Sequence, residues 1–224
     1  MYFLPQDNLT SNHLRWKVSP DKLCVSGIPI LPEFSKPKDR LYLKKKWQVH
    51  ENLFTILIMG EGEGLGPIED AVLAFKKVSL PFQVLVVTGI NRKLKKNLHK
   101  ISPRLNFPLK VLGYVRQIDE LMEISDLLIT KPGGLTCAEA LCKGIPIIAI
   151  DSITGQERKN KEFLLEKDLA FSVDSPDQVV SLVRNCINDG FNREFWRKKA
   201  KELTHPNSSQ EIVRKIMQIA IKKR

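Results

Sequence analysis

Several things are scarce in these 224 residues. Aromatic side chains make up only 7% of the chain, which leaves little from which to build a base-stacking platform for nucleic acid. The four cysteines, Cys24, Cys137, Cys142 and Cys186, form no Cys-x-x-Cys, and none has a histidine at zinc spacing. Free thiols in a reducing compartment are expected. His13, His50, His99 and His205 all lie outside the loops singled out below. There is no Gly-x-Ser-x-Gly elbow and no His-Glu-x-x-His, and no Asp-x-Asp pair to hold a divalent ion against a diphosphate. Hydrolase chemistry of those kinds is excluded, and neither a metal nor a cofactor is expected. No apolar run approaches the ~18–20 residues that cross a bilayer, and the N-terminus is not patterned as a secretory signal. The expected location is cytoplasmic, with any membrane contact peripheral.

What the chain has in excess is positive charge. Against 25 acidic residues stand 36 Lys and Arg, a formal +11, which favours an anionic partner: phosphates, an anionic lipid surface or nucleic acid. The last would also need an aromatic platform or a recognition helix, so no nucleic-acid partner is expected. Individual basic clusters, Lys44-Lys45-Lys46 and Arg197-Lys198-Lys199, read as solvated surface. The length and the 42% hydrophobic content allow one large domain, or one domain plus a fragment.

Along the chain, Tyr2–Leu4 reads as a strand, about 7–16 as a short helix and Leu23–Ser26 as another strand. A domain rarely opens on a buried strand, so residues 1–26 read as the tail of an earlier domain. Gly27-Ile-Pro-Ile-Leu-Pro32 is a linker held extended by its prolines. The expected division is 1–32 for tail and linker and 33–224 for the main domain, which begins with a basic helical segment over Pro37–Gln48. From Phe54 onward short apolar runs alternate with amphipathic stretches. Strands are predicted at Phe54–Met59, Gln83–Thr88, Leu109–Leu112, Leu127–Thr130, Pro146–Ile150 and Ala170–Val173. Helices are predicted at Pro67–Val78, Arg92–Ile101, Ile118–Ile124, Leu135–Lys143, Gln156–Lys167, Pro176–Asn188, Arg193–Leu203 and Ser208–Ile221. Strands apolar on both faces and separated by helices predict an α/β, Rossmann-like, doubly wound parallel sheet.

In such a sheet ligands bind outside the carboxyl ends of the strands, where every distinctive loop lies. Met59-Gly-Glu-Gly-Glu-Gly-Leu-Gly-Pro67 has glycines at alternate positions, which let a ligand approach the backbone. It fails the Gly-x-Gly-x-x-Gly spacing in either register and carries no P-loop lysine, so a nicotinamide dehydrogenase does not fit. Thr130-Lys-Pro-Gly-Gly-Leu-Thr-Cys-Ala-Glu-Ala140 is strand, Gly-Gly turn and helix. The turn at Gly133-Gly134 aims the N–H groups of Leu135 and Thr136 outward at a helix N-terminus, a setting that suits phosphate. Glu139, a turn further on, can accept both hydroxyls of a ribose. In Thr154-Gly-Gln-Glu-Arg-Lys-Asn160, Gln156 and Asn160 share a helix face beside Glu157, a set that suits sugar hydroxyls. Each loop taken alone is also compatible with an ordinary structural turn, the Thr154–Asn160 loop most of all.

Together these loops resemble glycosyltransferase family 28, nearest its diacylglycerol glycosyltransferases: the processive bacterial glucosyltransferases and the plastid monogalactosyldiacylglycerol synthases. Gly27-Ile-Pro-Ile30 and Leu112-Gly-Tyr-Val115 through Asp119-Glu-Leu121 are similar as well, and the likeness covers essentially the whole chain. Leu31 stands where many relatives carry Arg, and Thr154 where Pro is common. The resemblance implies a GT-B fold of which this is the C-terminal, donor-binding half. It implies an inverting, metal-independent transfer of a hexose from UDP to a diacylglycerol-type acceptor. By the same resemblance Glu139 would hold the ribose. Gly133, Gly134, Leu135 and Thr136, with Gly62, Glu63 and Gly64, would face the diphosphate. Tyr114 and Val115 would edge the uracil through backbone groups, and Gln156, Glu157 and Asn160 would hold the hexose. The acceptor-binding domain with its catalytic base, and hence any catalytic residue, is expected outside this chain, which should bind donor without turnover. The expected partners are a UDP-sugar, a lipid acceptor held by a missing or separate N-terminal domain, and an anionic membrane surface. The alternative is the donor-binding subunit of a two-subunit membrane N-acetylglucosaminyltransferase.

Overall fold

Six short apolar runs become six parallel strands. The computed structural model describes residues 1–6, 17–60, 68–150, 155–173, 175–188 and 192–222. The predicted helix over 7–16, the glycine loop with Gly62, Glu63 and Gly64, and Thr154 lie outside the described residues. A first pair, β1 (Tyr2–Leu4) and β2 (Leu23–Val25), forms a small parallel sheet of its own. The main sheet holds β3 (Phe54–Met59), β4 (Phe82–Val87), β5 (Leu109–Leu112), β6 (Leu127–Thr130), β7 (Ile147–Ala149) and β8 (Ala170–Ser172) in the order β5-β4-β3-β6-β7-β8. All its neighbouring pairs run parallel. From β3 the chain builds outward to one edge, then returns to β6 and builds to the other, so β3 and β6 form a topological switch point.

The helices are α1 (Arg40–Lys46), α2 (Ile68–Ala74), α3 (Arg92–Ile101), α4 (Ile118–Ile124), α5 (Gly134–Lys143), α6 (Gly155–Glu166), α7 (Pro176–Asn188), α8 (Arg193–Lys201) and α9 (Ser208–Lys222). Side chains alternate across each strand, so two cores form. Ile56, Ile58, Val84 and Val86 face one core together with Leu98 of α3 and Val180 and Val183 of α7. Leu57, Met59, Leu85 and Val87 face the other, with Leu121 and Met122 of α4, Leu141 of α5 and Ala200 of α8. The continuous apolar runs that predicted burial on both faces are thereby explained.

Helix ends depart from prediction where local chemistry intervenes. The first helix starts at Arg40 and not Pro37, because the Asp39 carboxylate caps it by accepting from the Tyr42 N–H at 3.0 Å; it stops before Gln48, whose φ is +49°. The helix predicted to reach Val78 ends at Ala74 and tightens into a single 3₁₀ turn, Phe75–Lys77. The basic clusters are also less solvated than expected. Lys44 is buried and donates to the Glu51 carbonyl at 2.6 Å, Lys46 bonds Glu120 at 2.7 Å, and Arg197 bonds Glu123 at 2.5 Å. All four cysteines are free thiols, and burial pushes the Cys137 thiol up to about 12. Among the described residues no helix is long and apolar enough to cross a membrane.

Candidate functional site

The β6–α5 loop opens at the switch point. Gly133 precedes α5 with φ −64° and ψ 140° and has no side chain with which to cap it. The first helical bond runs from the Cys137 N–H to the Gly133 carbonyl at 2.9 Å. The N–H groups of Gly134, Leu135 and Thr136 therefore precede the helical ladder and point out of the helix end. Leu135 is exposed and Thr136 half-buried. This ten-residue helix ends on Gly144 in the left-handed conformation, φ +60°, with Gly144 N–H to Leu141 and Ile145 N–H to Ala140 closing a Schellman motif.

The structure corrects how the two glycines act. Neither Gly133 nor Gly134 is left-handed; among the described residues the positive-φ glycines are Gly27, Gly89 and Gly144. What Gly134 supplies is room. A Cβ there would lie 3.3 Å from Ile28 Cδ1, 3.6 Å from Asn160 Nδ2 and 3.9 Å from Gln156 Nε2. The start of α6 and the Gly27–Pro32 linker thus close directly on the turn. That linker is itself fixed, because Gly27, at φ +77°, packs against His205 and its carbonyl accepts from Ser208 Oγ at 3.1 Å.

Glu139 sits half-buried in the second turn of α5. Burial, with the Asp119 carboxylate of α4 adding repulsion, pushes its carboxyl up to about 7. Asp119 is itself buried and ion-paired to Lys38. Of the α6 residues, Gln156 is exposed, Glu157 is buried and Asn160 donates to the Pro132 carbonyl at 2.9 Å. Asn160 thereby pins the loop, leaving its amide oxygen for other partners. Tyr114 and Val115 follow β5, three strand spacings or roughly 14 Å from β6. Tyr114 is 68% exposed, and Val115 packs on the second core. Their loop leads into α4, whose Asp119 is the residue that reaches Glu139. The predicted residues are thus strung along one edge, from the 113–117 loop through Asp119 and Glu139 to the α5 N-terminus and then Gln156 and Asn160.

A cavity of about 170 Å³ adjoins the last of these, with Gly134, Gln156, Asn160, Ile28, Cys137 and Phe163 among its lining residues. Two roles escape sequence reasoning. Asp119 belongs to the Leu112–Leu121 likeness, but its effect on Glu139 carries no local signal, since the two lie on different helices. Lys131, between β6 and the turn, is only 6% exposed, which its place in a polar loop did not suggest. Among the described residues no group of His, Cys, Asp and Glu could hold a metal ion.

Known proteins resemble this chain in sequence and in fold. The family described as "Glycosyl transferases group 1" matches residues 39–203. A processive diacylglycerol beta-glucosyltransferase of Bacillus pumilus is 32% identical over 219 residues, covering 97% of this chain and 57% of that protein. A probable chloroplastic monogalactosyldiacylglycerol synthase of Nicotiana tabacum is 35% identical over 220 residues, 94% of this chain and 41% of the relative. The chain therefore spans about half the length of the curated relatives it matches, and the diacylglycerol glycosyltransferase resemblance read from its loops is borne out. Among solved structures, a MnaA–UDP co-structure from S. aureus superposes with a TM-score of 0.70 at 18% identity, covering 98% of this chain and 59% of that one, a likeness of fold. With a family match over most of its length and a doubly wound sheet of the kind such enzymes use, the chain belongs to the glycosyl transferases of group 1.

Proposed function

We propose that this chain is the donor-binding half of a hexosyltransferase that moves a sugar from UDP to a diacylglycerol-type lipid. The observation that carries the reading is Glu139, held half-buried one turn behind the uncapped N-terminus of α5 at the switch point. A carboxylate there accepts the two ribose hydroxyls, while the N–H groups of Gly134, Leu135 and Thr136 and the positive end of the helix dipole hold the diphosphate. The order of residues along the edge follows the order of groups in the ligand. Backbone atoms near Tyr114 and Val115 meet the base, Glu139 the ribose, the α5 N-terminus and the 60–66 loop the diphosphate, and Gln156, Glu157 and Asn160 the hexose. The UDP in the superposable co-structure and the lipid acceptors in the relatives' names support the two halves of this reading.

Mechanistically, the acceptor hydroxyl attacks the anomeric carbon from the face opposite UDP, inverting it, and its proton passes to a base. The leaving diphosphate gains charge as the bond breaks, and the α5 N–H groups stabilise it without a metal. The base and the acceptor site belong to a further domain, consistent with the half-length coverage of the relatives. Donor binding by this chain alone, without turnover, is therefore expected, as is peripheral association with the membrane that holds the lipid. Calorimetric titration of UDP into the chain tests this: binding that weakens more than tenfold in Glu139→Ala is expected. No affinity for UDP, or an affinity untouched by that substitution, would sink the site.

A further inference from the structure

We propose that the outer face of α3, with the neighbouring tip residues Ile90 and Tyr114, is a docking surface for an anionic lipid bilayer. Three observations carry it. Helix α3 is Arg92-Lys-Leu-Lys-Lys-Asn-Leu-His-Lys-Ile101, with five cations, one histidine and no acidic residue. Its apolar side, Leu94, Leu98 and Ile101, is spent on the core. Arg92, Lys95, Lys96, His99 and Lys100 line one shallow outward groove, and among the described residues none of their side chains makes an ion pair. Clusters of four to eight cations on such a face suit anionic headgroups.

The second observation is apolar. Ile90, 66% exposed, and Tyr114, 68% exposed, are the tips of the loops after β4 and β5. Those loops touch: a Cβ on Gly113 would lie 3.8 Å from the Gly89 carbonyl oxygen and 3.5 Å from Lys95 Nζ. Two exposed side chains therefore sit on touching loops, one of which also meets Lys95 of the basic groove. A bilayer interface satisfies both, taking the apolar tips among its acyl chains and the cations at its phosphates. An RNA would leave Ile90 without a partner. The role is compatible with Tyr114 near the donor, since only its backbone is assigned there.

The third observation is position. The tips lie at the carboxyl ends of the strands, the same edge as the Gly133–Thr136 turn, so a bilayer met by this surface lies alongside the donor and not behind it. The proposal rests on the lipid-acceptor reading for its choice of partner.

The test is co-sedimentation of the 224-residue chain with vesicles of phosphatidylcholine mixed with phosphatidylglycerol, against phosphatidylcholine alone, over a range of salt. Binding only to the anionic vesicles, weakening as salt rises, is expected. Each neutralised cation should weaken partitioning about fivefold, so Arg92→Gln/Lys96→Gln/Lys100→Gln should lose on the order of a hundredfold, and Ile90→Ser should weaken it further. Neutralising three exposed cations elsewhere, Lys198→Gln/Lys201→Gln/Arg214→Gln, should have a far smaller effect. All these variants should retain UDP affinity, which separates loss of this surface from loss of the donor site. Equal binding to both vesicle types overturns the proposal. So does stronger binding to single-stranded RNA, or loss of vesicle binding in Val213→Ser/Met217→Ser on α9 with the α3 variants unchanged.

Discussion

In the proposed site, Glu139 makes donor affinity depend on pH. Its carboxyl titrates near 7 because burial, and secondarily Asp119, disfavours the charge, yet only the ionised form can accept both ribose hydroxyls. At about pH 6 roughly one molecule in eleven carries the charge, and at about pH 8 roughly ten in eleven. If the carboxylate is the binding form, UDP affinity rises about tenfold across that window, or about 1.4 kcal/mol. A nucleotide phosphate also titrates near pH 6, so the measured quantity is a ratio: the pH 8 to pH 6 affinity of the native chain divided by that of Glu139→Gln. The amide keeps the shape and cannot ionise, so the quotient isolates the one side chain. Asp119→Asn removes one source of repulsion and should move the rise to lower pH. A quotient near one, or a midpoint indifferent to Asp119, refutes the argument. In the free protein the sign is opposite. The native carboxyl holds its proton more tightly than the unfolded one, whose value is 4.5, so ionising it between about pH 4.5 and 7 lowers stability. Glu139→Gln should flatten that decline in a thermal melt.

Four substitutions test the frame. Gly144→Ala forces a side chain into the left-handed conformation and places its Cβ 2.4 Å from Arg197 Cγ and 2.6 Å from Arg197 Cα. About 2 kcal/mol or more should be lost, seen as a melting temperature lower by roughly 4–8 °C. Glu123 is buried and bonded to Lys143 and Arg197, with Arg193 close by. Burial alone would raise its carboxyl, but these cations outweigh it and hold it below the usual range. Glu123→Gln strands three cations and should cost about 3–5 kcal/mol, whereas Lys143→Met leaves the carboxylate two guanidinium partners and should cost clearly less; denaturant melts that rank the pair in reverse contradict the network. Gly134→Ala makes one tight contact, with Ile28 Cδ1 at 3.3 Å, and ordinary contacts with Asn160 and Gln156, so stability should fall by only about 1 kcal/mol, while calorimetry should show UDP binding weakened as Ile28 shifts.

The sheet was legible because its strands are buried on both faces. Phe54–Met59 and Leu127–Thr130 are continuous apolar runs too short for a buried helix, and both appear with the predicted bounds. Helix ends were less legible where they depend on a cap such as Asp39, or where the chain tightens after Ala74. Buried cations were not legible at all. Lys44 and Lys143 look like solvent-facing charges in a one-dimensional pattern, and only the fold brings the Glu51 carbonyl and Glu123 to them. The same limit applies at the site. Gly133-Gly134 could be read as a phosphate-facing turn from its place between strand and helix, but the close approach of Ile28 to Gly134 joins segments over a hundred residues apart in the chain.

The burial of Glu139, with Asp119 adding repulsion, leads to one more expectation. Half-buried, Glu139 stays largely protonated below pH 7, while a ribose bound as proposed calls for the carboxylate. Donor binding must then release a proton, and the number released follows from linkage: about half a proton per UDP at pH 7, more at lower pH and almost none by about pH 9. Calorimetry in two buffers of different ionisation enthalpy reads this number directly, since the apparent binding enthalpy shifts by the buffer difference times the protons released. The release should vanish in Glu139→Gln. Its persistence there would assign the proton to the nucleotide phosphate, and its absence in the native chain would mean that Glu139 meets the ribose as a neutral acid, donating one hydrogen bond where the proposed site has it accept two.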